Sequence, residues 1–285
     1  MKIGELLNIG TKILLEAGID TARLDSQLLL GKVIKKDKLY LMINNTEDVN
    51  NKDEEEFFNL IDKRKEKMPV KYILGECDFM GLDFFVEKGI LIPRSDTEVL
   101  VEKILSMIDE NEELKVCDLC SGSGAIGIAL AYYRKNIKVD SIDYYDIPEK
   151  ITRKNIARHK LQDRVNFIKS DLLNEVIDTG IKYDVLVSNP PYIKTEEIET
   201  LMSDVKNYEP HTALDGGDDG LIFYRKIVKQ SSMVLRKNSI LAFEIGFDQG
   251  QSVKKLMEDN GYTKVEVIKD LAGLDRVVIG SFNCW

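Results

Sequence analysis

From residue 114 onwards, the chain alternates short apolar segments with stretches of helical periodicity. The apolar segments have the length and the flanking turn residues of buried strands. Seven such strands are predicted near residues 114–119, 138–143, 165–169, 183–188, 239–245, 263–269 and 276–281. Alternation of this kind produces a mostly parallel sheet with helices on both faces. The fold class predicted for the larger part of the chain is therefore α/β.

The chain before this region is helical in pattern. Apolar residues recur at spacings of three and four from Ile3 to Leu29, and another helix is predicted from Glu54 to Lys67. Residues 79–92 then alternate like a short β-hairpin. The predicted organisation is a small N-terminal helical bundle at 1–74, a β-hairpin linker at 75–92 and a main domain at 93–285. The helical domain either stabilises the protein or docks a partner.

The composition narrows the functional classes. The chain has 285 residues, of which 44% are hydrophobic, and its formal net charge is −9. Because duplex binding depends on phosphate neutralisation by Lys and Arg, this charge argues against a broad nucleic-acid surface. No apolar run is long enough to span a membrane, and a charge interrupts the segment where a signal peptide would be apolar. We therefore expect a cytoplasmic protein, monomeric by default, that acts on a protein or a small molecule.

The cysteines do not indicate a disulfide framework, because four of them are scattered over a chain of this size. Cys117 and Cys120 form a C-x-x-C pair, a pattern found in redox sites and zinc sites. No second pair accompanies it, and Cys117 lies within a predicted strand. Neither chemistry is favoured, and no metal is expected.

A glycine-rich turn follows the first predicted strand of the main domain. Cys120, Ser121, Gly122, Ser123 and Gly124 connect that strand to a predicted helix. This arrangement lets the backbone approach a nucleotide closely. The next predicted strand ends in Asp143, about 20 residues further on, where an acidic side chain would meet ribose hydroxyls. Together these features predict a site for a nucleotide-like cofactor.

A second motif, Asn189-Pro190-Pro191-Tyr192, closes the predicted strand at 183–188. Two prolines stiffen this segment and remove two N–H donors, which leaves carbonyl acceptors. The Asn189 side chain and the Pro190 carbonyl could grip both hydrogens of a planar NH2 group, with Tyr192 flat against it. On its own the motif could be only a rigid turn.

The two motifs are expected to meet. In open α/β sheets, ligands bind beyond the carboxyl ends of the strands. The glycine turn, Asp143, Asp171 and Asn189 each follow a predicted strand. We therefore expect them at one edge of the sheet, in one site that modifies an amide or an exocyclic amine.

Further motifs lie along almost the whole chain. They are Asp118 to Ile126, Asn189 to Tyr192, Ile92-Pro93-Arg94 with Thr97-Glu98, Tyr208-Glu209-Pro210, Ala213 to Gly217 with Asp219 to Leu221, and Asp270 to Gly273 with Asp275-Arg276. Together they resemble the release-factor glutamine methyltransferase family (PrmC/HemK). The Asn-Pro-Pro-Tyr motif alone is shared with DNA-adenine and ribosomal-RNA guanine methyltransferases, so the surrounding motifs make the resemblance specific.

The resemblance implies a fold, a cofactor and a substrate. The fold is the seven-stranded, Rossmann-like class I methyltransferase sheet. The cofactor is S-adenosyl-L-methionine, and the methyl acceptor is the glutamine of the Gly-Gly-Gln motif in class-1 peptide release factors. The resemblance also implies site residues. Cys120 to Gly124 border the methionine part of the cofactor, Asp143 holds the ribose, Tyr144 stacks on or shields the adenine, and Asp171 and Leu172 lie by the adenine. Asn189, Pro190, Pro191 and Tyr192 hold the substrate glutamine. Asn189, Pro190 and Tyr192 are the expected catalytic residues, and Asn189 is also expected to contact the cofactor.

The chain departs from the family pattern at one place, since Cys120-Ser121 stands where the family usually has Gly-Thr. A positive φ at Cys120 would carry strain. The expectation is an ordinary backbone at Cys120, with Gly122 and Gly124 in the demanding conformations.

Three alternatives remain open from the residues. The first is methylation of adenine N6 in DNA or guanine N2 in ribosomal RNA, which the acidic net charge disfavours. The second is a methyltransferase-fold scaffold without catalysis, which the intact Asn189 to Tyr192 motif disfavours. The third concerns Asp215 to Gly220, which resembles a calcium loop but lacks the alternating carboxylates. A flexible loop near the site is predicted there instead.

Overall fold

A computed structural model describes residues 1–282 of the protein. Its contacts divide the chain into two compact units. The units are Met1–Glu76 with Met202–Tyr208, and Cys77–Leu201 with Glu209 onwards.

The helices of the described residues belong to both units. In chain order the α-helices are α1 (Ile3–Glu16), α2 (Ala22–Ile34), α3 (Lys38–Ile43), α4 (Asn51–Lys65), α5 (Val70–Leu74), α6 (Ser95–Met107), α7 (Ala125–Tyr133), α8 (Asp146–Arg158), α9 (Asn174–Ile177), α10 (Ser203–Tyr208), α11 (Ile222–Ser231) and α12 (Gly250–Asp259). Short 3-10 helices span Thr195–Thr200 and His211–Ala213. None of the described helices is long and apolar enough to cross a membrane.

The helical unit packs around one apolar face of α1. Leu6, Gly10 and Leu14 lie on that face because they are four positions apart, and all three are buried. A side chain at position 10 would come within 2.7 Å of the Phe57 ring, so glycine is needed for this close approach of α1 and α4. The predicted helix Glu54–Lys67 is confirmed as α4, with an earlier start. Asn50 caps it there, because its side chain accepts from the backbone N–H of Asp53 at 3.0 Å.

One segment differs from the predicted organisation. The sequence predicts a continuous main domain at 93–285, whereas residues 202–208 group with the helical unit. The reason is a long-range contact, since the Tyr208 hydroxyl donates to the carbonyl of Glu66 at 2.6 Å. Nothing in the local pattern around Tyr208 reveals this bond.

The seven predicted strands of the main domain are confirmed. With the two preceding strands, the set is β1 (Glu76–Phe79), β2 (Leu82–Phe85), β3 (Lys115–Leu119), β4 (Lys138–Asp143), β5 (Val165–Lys169), β6 (Tyr183–Ser188), β7 (Leu235–Glu244), β8 (Tyr262–Lys269) and β9 (Asp275–Phe282). The largest difference is at β7, which begins at Leu235 rather than at 239.

The strands of the large sheet run in the order β5-β4-β3-β6-β7-β9-β8. The first five are parallel, and β9 pairs antiparallel with both β7 and β8. Leu119 at the end of β3 lies opposite Ile142 of β4 and Ser188 of β6, so these strands end level. The chain progresses outward in both directions from β3, which makes the β3–β6 junction the switch point where such sheets bind ligands.

The hairpin is also present, but it lies earlier than the alternation at 79–92 predicts. Strands β1 and β2 form a two-stranded sheet. Met80 and Gly81 between them have φ values of 53° and 67°, which is the backbone that a tight two-residue hairpin requires. Gly89 falls beyond the hairpin.

Candidate active site

A cavity of about 790 Å³ lies at the carboxyl ends of β3, β4, β5 and β6. This volume suits a drug-sized or nucleoside-sized ligand. Ten of the predicted site residues line it, namely Cys120, Ser121, Gly122, Ser123, Asp143, Tyr144, Asp171, Leu172, Asn189 and Pro191. The parallel topology thus brings together loops that are far apart in the chain. Gly124, Pro190 and Tyr192 are not among the residues that line the cavity.

The glycine turn is held by backbone hydrogen bonds to the neighbouring strand. The N–H of Ser121 donates to the carbonyl of Ile142 at 3.0 Å, and the N–H of Gly124 donates to the carbonyl of Ser121 at 2.7 Å. These bonds force the chain to turn sharply as soon as β3 ends. Gly122 and Gly124 take positive φ values of 56° and 76°, as predicted.

The expectation for Cys120 is wrong, because its φ is 59°. The turn needs a left-handed residue directly after Leu119, before the N–H of Ser121 can reach Ile142. A left-handed backbone costs a non-glycine residue roughly 1–2 kcal/mol. Sheet pairing on both sides of β3 outweighs this local cost.

Two side chains of α8 donate hydrogen bonds to carbonyls of the glycine turn. The sequence patterns do not identify these two residues. Thr152 donates to the carbonyl of Gly122 at 3.0 Å, and Asn155 donates to the carbonyl of Ser123 at 2.9 Å. The buried Asn155 amide also accepts from the N–H of Phe85 at 2.7 Å, which joins the turn to β2. The only local indication that Thr152 and Asn155 act together is their three-residue spacing on one helix face. Many residue pairs without a functional role share that spacing.

Asp143 lies at the edge of the cavity with its carboxylate oriented by backbone donors. Its Oδ2 accepts from the N–H of Gly122 at 2.9 Å, and its Oδ1 accepts from the N–H of Tyr144 at 2.8 Å. Burial raises the pKa of Asp143, while these N–H groups oppose the increase. Each carboxylate oxygen has a second lone pair, so Asp143 can still accept a hydroxyl of a ligand.

The cavity also contains an unsatisfied polar group. The hydroxyl of Ser121 is buried and has no hydrogen-bond partner among the described residues. Beside it, a side chain placed at Gly122 would meet no atom within 4 Å, because that position faces open cavity. Buried polar groups normally have partners, so this lining suits a ligand with polar atoms near the glycine turn. The residues present therefore fit a nucleoside-containing cofactor.

The Asn189 to Tyr192 segment meets the cavity through two of its residues. Asn189 and Pro191 line it, and the Asn189 Nδ2 atom donates to the hydroxyl of Thr97 at 3.4 Å. Tyr192 is half-buried against the core of the sheet, and its hydroxyl donates to Glu244 Oε1 at 3.2 Å. Burial and the Glu244 charge raise the pKa of Tyr192, so this phenol stays protonated. The prediction that Tyr192 lies against a substrate amide stays a prediction.

The loop at Asp215 to Gly220 lies next to this segment. The N–H of Gly216 donates to the carbonyl of Ile193 at 2.8 Å. A side chain at Gly220 would come within 2.4 Å of the carbonyl oxygen of Tyr192, so the loop packs closely under the motif. No group of His, Cys, Asp and Glu residues in the described chain is arranged to hold a metal ion. The loop therefore supports the segment by packing and by backbone hydrogen bonds.

The two thiols of the C-x-x-C pair are not activated for redox chemistry. Cys117 and Cys120 are free thiols. Burial, followed by nearby aspartate charges, raises the pKa of both thiols. Protonated thiols are weak nucleophiles and poor metal ligands.

Comparison with known proteins gives matches over both parts of the chain. Residues 5–75 match the family model described as the PrmC N-terminal domain, and residues 95–209 match the Methyltransferase small domain. A Clostridium botulinum protein named release factor glutamine methyltransferase is 50% identical over 278 residues, covering 98% of each chain. A protein of the same name from Clostridium acetobutylicum is 45% identical, covering 98% of each chain. Another from Fusobacterium nucleatum is 40% identical, covering 96% of this chain and 77% of that protein.

Solved structures of other methyltransferases share the fold of this chain. A methyltransferase from Pyrococcus furiosus aligns with a TM-score of 0.54 and 17% identity, covering 78% of this chain and 99% of that one. A ribosomal protein L11 methylase from Lactobacillus delbrueckii aligns with a TM-score of 0.50 and 18% identity, covering 70% of this chain and 84% of that one. The predicted class I methyltransferase fold is confirmed.

Proposed function

Because the chain belongs to the release factor glutamine methyltransferase family, we propose that it methylates the Gly-Gly-Gln glutamine of class-1 peptide release factors. The methyl group comes from S-adenosyl-L-methionine and is transferred to the side-chain amide nitrogen, and the product of the cofactor is S-adenosyl-L-homocysteine. The observation that carries this function is the 50% identity with a relative of that name over 98% of both chains. A cytoplasmic location and a monomeric state stay predictions.

In this proposal the cavity holds the cofactor at the β3–β4–β5 edge. Cys120 to Gly124 border the methionine part, and the unsatisfied hydroxyl of this turn is available to its polar atoms. Asp143 accepts hydrogen bonds from the ribose hydroxyls. Tyr144, Asp171 and Leu172, which line the same cavity, surround the adenine.

The Asn189 to Tyr192 segment orients the substrate amide. Bound S-adenosylmethionine supplies an activated methyl group, so the protein needs to supply orientation rather than a nucleophile. Asn189 Oδ1 and the Pro190 carbonyl accept the two N–H groups of the glutamine, and this aims its nitrogen. Tyr192 packs against the amide plane. The nitrogen loses a proton to water after transfer, because an N-protonated amide is strongly acidic, so no general base is needed.

Methyl transfer from isotopically labelled S-adenosylmethionine tests the function. We expect label in full-length release factor and none in a matched factor whose Gly-Gly-Gln glutamine is replaced by alanine. Duplex DNA and ribosomal RNA serve as competing acceptors in the same assay. Label in nucleic acid and none in the release factor would overturn the proposal and favour the nucleic-acid alternative.

Asp143→Asn is expected to raise the dissociation constant of S-adenosylmethionine by about 10- to 100-fold, because hydrogen bonds to a charged acceptor are worth about 1.5–3 kcal/mol. Since burial raises the pKa of Asp143, wild-type affinity should fall as the pH is lowered through that pKa. The Asn variant should lack this fall. Calorimetry on both proteins over a pH series measures the effect, with the exposed Asp163→Asn as control. Equal affinities would remove Asp143 from the cofactor site.

We further propose that the helical unit docks the body of the release factor. Leu39, Met42 and Ile43 of α3 expose 63%, 57% and 70% of their surface, which is unusual for three large apolar side chains on one short helix. Such a surface suits an apolar partner.

Ile43→Asp is therefore expected to raise KM for full-length release factor by about 10-fold, as loss of one apolar anchor predicts. KM for a short Gly-Gly-Gln peptide should not change, because the peptide lacks the body of the factor. Lys52→Ala, an exposed α4 substitution with the same change of charge, is the matched control. Equal effects on both substrates would contradict docking through α3.

A further inference from the structure

The turn after β5 lines the cavity at Ser170, Asp171 and Leu172, and its backbone is strained. Leu172 has a φ of 52°, in the left-handed region that a leucine rarely adopts. Such a conformation persists only where the surrounding contacts impose it. The contacts that impose it here come from side chains without a role in the mechanism above.

Glu175 of α9 holds this turn by hydrogen bonds. Its Oε2 accepts from the N–H of Asp171 at 3.1 Å and from the Ser170 hydroxyl. That hydroxyl also lies 2.6 Å from the carbonyl of Leu172, so its single hydrogen is shared between the two acceptors. In return, the N–H of Glu175 donates to the Ser170 hydroxyl at 3.3 Å. The carboxylate therefore fixes the residue before Leu172 directly and the carbonyl of Leu172 through Ser170.

The hydrogen bonds of the turn leave one backbone donor without a partner. The N–H groups of residues 170, 171 and 173 all have acceptors within the protein. Among the described residues, none accepts from the N–H of Leu172, and this residue is only 8% exposed. Buried N–H groups are rarely left unpaired, so this donor suits an acceptor atom of a ligand in the cavity.

An acceptor of the protein lies beside this open donor. Asp171 is exposed and lines the same cavity, so its carboxylate can accept a hydrogen bond from a ligand. In the proposed function this turn lies by the adenine, whose amine is a donor and whose adjacent ring nitrogen is an acceptor. Asp171 and the N–H of Leu172 are complementary to that edge. The complementarity requires the observed backbone, because a relaxed φ at Leu172 would reorient the adjoining peptide groups.

We propose that Glu175 is a positioning residue for the cofactor: together with Ser170 it imposes the left-handed conformation of Leu172 that presents the donor of this turn to the adenine. The proposal rests on the cofactor part of the proposed function and on no property of the methyl acceptor. Glu175 itself is not among the residues that line the cavity. It reaches the turn because α9 begins directly after it, at Asn174.

Glu175→Ala tests this role in binding experiments that need no methyl acceptor. We expect the dissociation constant of S-adenosylhomocysteine to rise about 10-fold, which is the effect of one hydrogen bond to a charged group. At saturating cofactor, kcat and KM for the release factor should change less than about twofold. Glu175→Gln keeps an acceptor oxygen at the same place and should bind within about threefold of the wild type. Glu102→Ala, which removes an exposed glutamate of α6, is the matched control.

A second ligand separates positioning from general stability. S-inosylhomocysteine carries a carbonyl oxygen in place of the adenine amine and a ring N–H in place of the acceptor, so both contacts of the turn are reversed. The wild type should bind it roughly 100-fold more weakly than S-adenosylhomocysteine. In Glu175→Ala this ratio should fall to about 10, because a relaxed turn no longer presents a fixed donor. A purely structural role would lower stability and leave the ratio unchanged, which would overturn the proposal.

The Ser170 hydroxyl is expected to act through the same contact. Ser170→Ala should therefore reproduce the weaker binding, and the Glu175→Ala/Ser170→Ala double variant should be little worse than the weaker single variant. Additive losses would show that the two side chains act independently and would contradict the shared role. A Glu175→Gln variant that binds as weakly as Glu175→Ala would also contradict it, because the acceptor oxygen is retained there.

Labelling of the release factor distinguishes a failure of this role from a failure of the proposed function. If the wild type labels the release factor and Glu175→Ala binds the cofactor product as tightly as the wild type, the positioning role is wrong and the function stands. If the wild type binds S-adenosylhomocysteine but labels no release factor, the proposed methyl acceptor is wrong. The comparison of the adenine and hypoxanthine ligands still decides the role of Glu175 in that case.

Discussion

Asn189→Ala is expected to lower kcat for release-factor methylation by about 10²–10³-fold, which is the usual loss when one preorganised hydrogen-bonding group is removed from an active site. Alanine removes the acceptor that aims the substrate nitrogen. It leaves the glycine turn and Asp143, which carry most of the cofactor contacts in the proposal. The dissociation constant of S-adenosylmethionine should therefore change by less than about 10-fold.

Single-turnover methylation of the release factor and calorimetry with the cofactor measure the two quantities on the same protein. Asn136→Ala, an exposed position outside the cavity lining, controls for the loss of an asparagine. A variant that keeps wild-type kcat would refute the amide grip. A variant that loses the cofactor as strongly as turnover would instead give Asn189 a cofactor role, which the sequence also allows.

The second large effect concerns stability, and it arises from Asp118 in β3. Burial raises the pKa of this carboxyl to about 7 from the ordinary 3.8, and the Asp143 charge adds to the increase, although the N–H of Gly127 opposes it at 2.9 Å. The folded protein therefore binds a proton on Asp118 that the unfolded chain releases at lower pH. Stability should fall as the pH rises from about 4 to about 7 and should then level off.

Asp118→Asn removes this titration and retains an acceptor for Gly127. Three pKa units correspond to about 4 kcal/mol at 1.36 kcal/mol per unit, so the variant should be more stable than the wild type by about that amount at pH 8. Near pH 4 the two proteins should be almost equal, because Asp118 is protonated in the folded wild type. Urea unfolding at both pH values measures the difference, and the exposed Asp163→Asn should show none. A stability difference independent of pH would show that Asp118 is not the titrating group.

Two costly features lie in β3 and in the turn that follows it. Asp118 is buried in β3, close enough to Asp143 at the cavity for their charges to interact. The turn that follows β3 has left-handed residues at three alternate positions, Cys120, Gly122 and Gly124. Both features cost stability. They occur where the backbone must leave space for a ligand, which is where strain is normally concentrated.

Much of this arrangement follows from patterns between neighbouring residues. Strand and helix periodicity depends only on local spacing, so the seven strands are predicted close to their observed positions. Parallel strands that alternate with helices must end at a common edge, and this brings the glycine turn, Asp143, Asp171 and Asn189 to one cavity. The identity of the motifs along the chain was sufficient to indicate the methyltransferase family.

Other properties depend on partners that are distant in the chain, so no local pattern encodes them. Cys120 is left-handed because Ser121 bonds Ile142. Residues 202–208 join the helical unit through Tyr208 and Glu66. Glu244 ends an apolar strand like any solvated acid at a strand end, and only the folded chain buries it beside the Tyr192 hydroxyl. Burial and long-range hydrogen bonds are properties of packed surroundings, so they are decided only when the sheet is assembled.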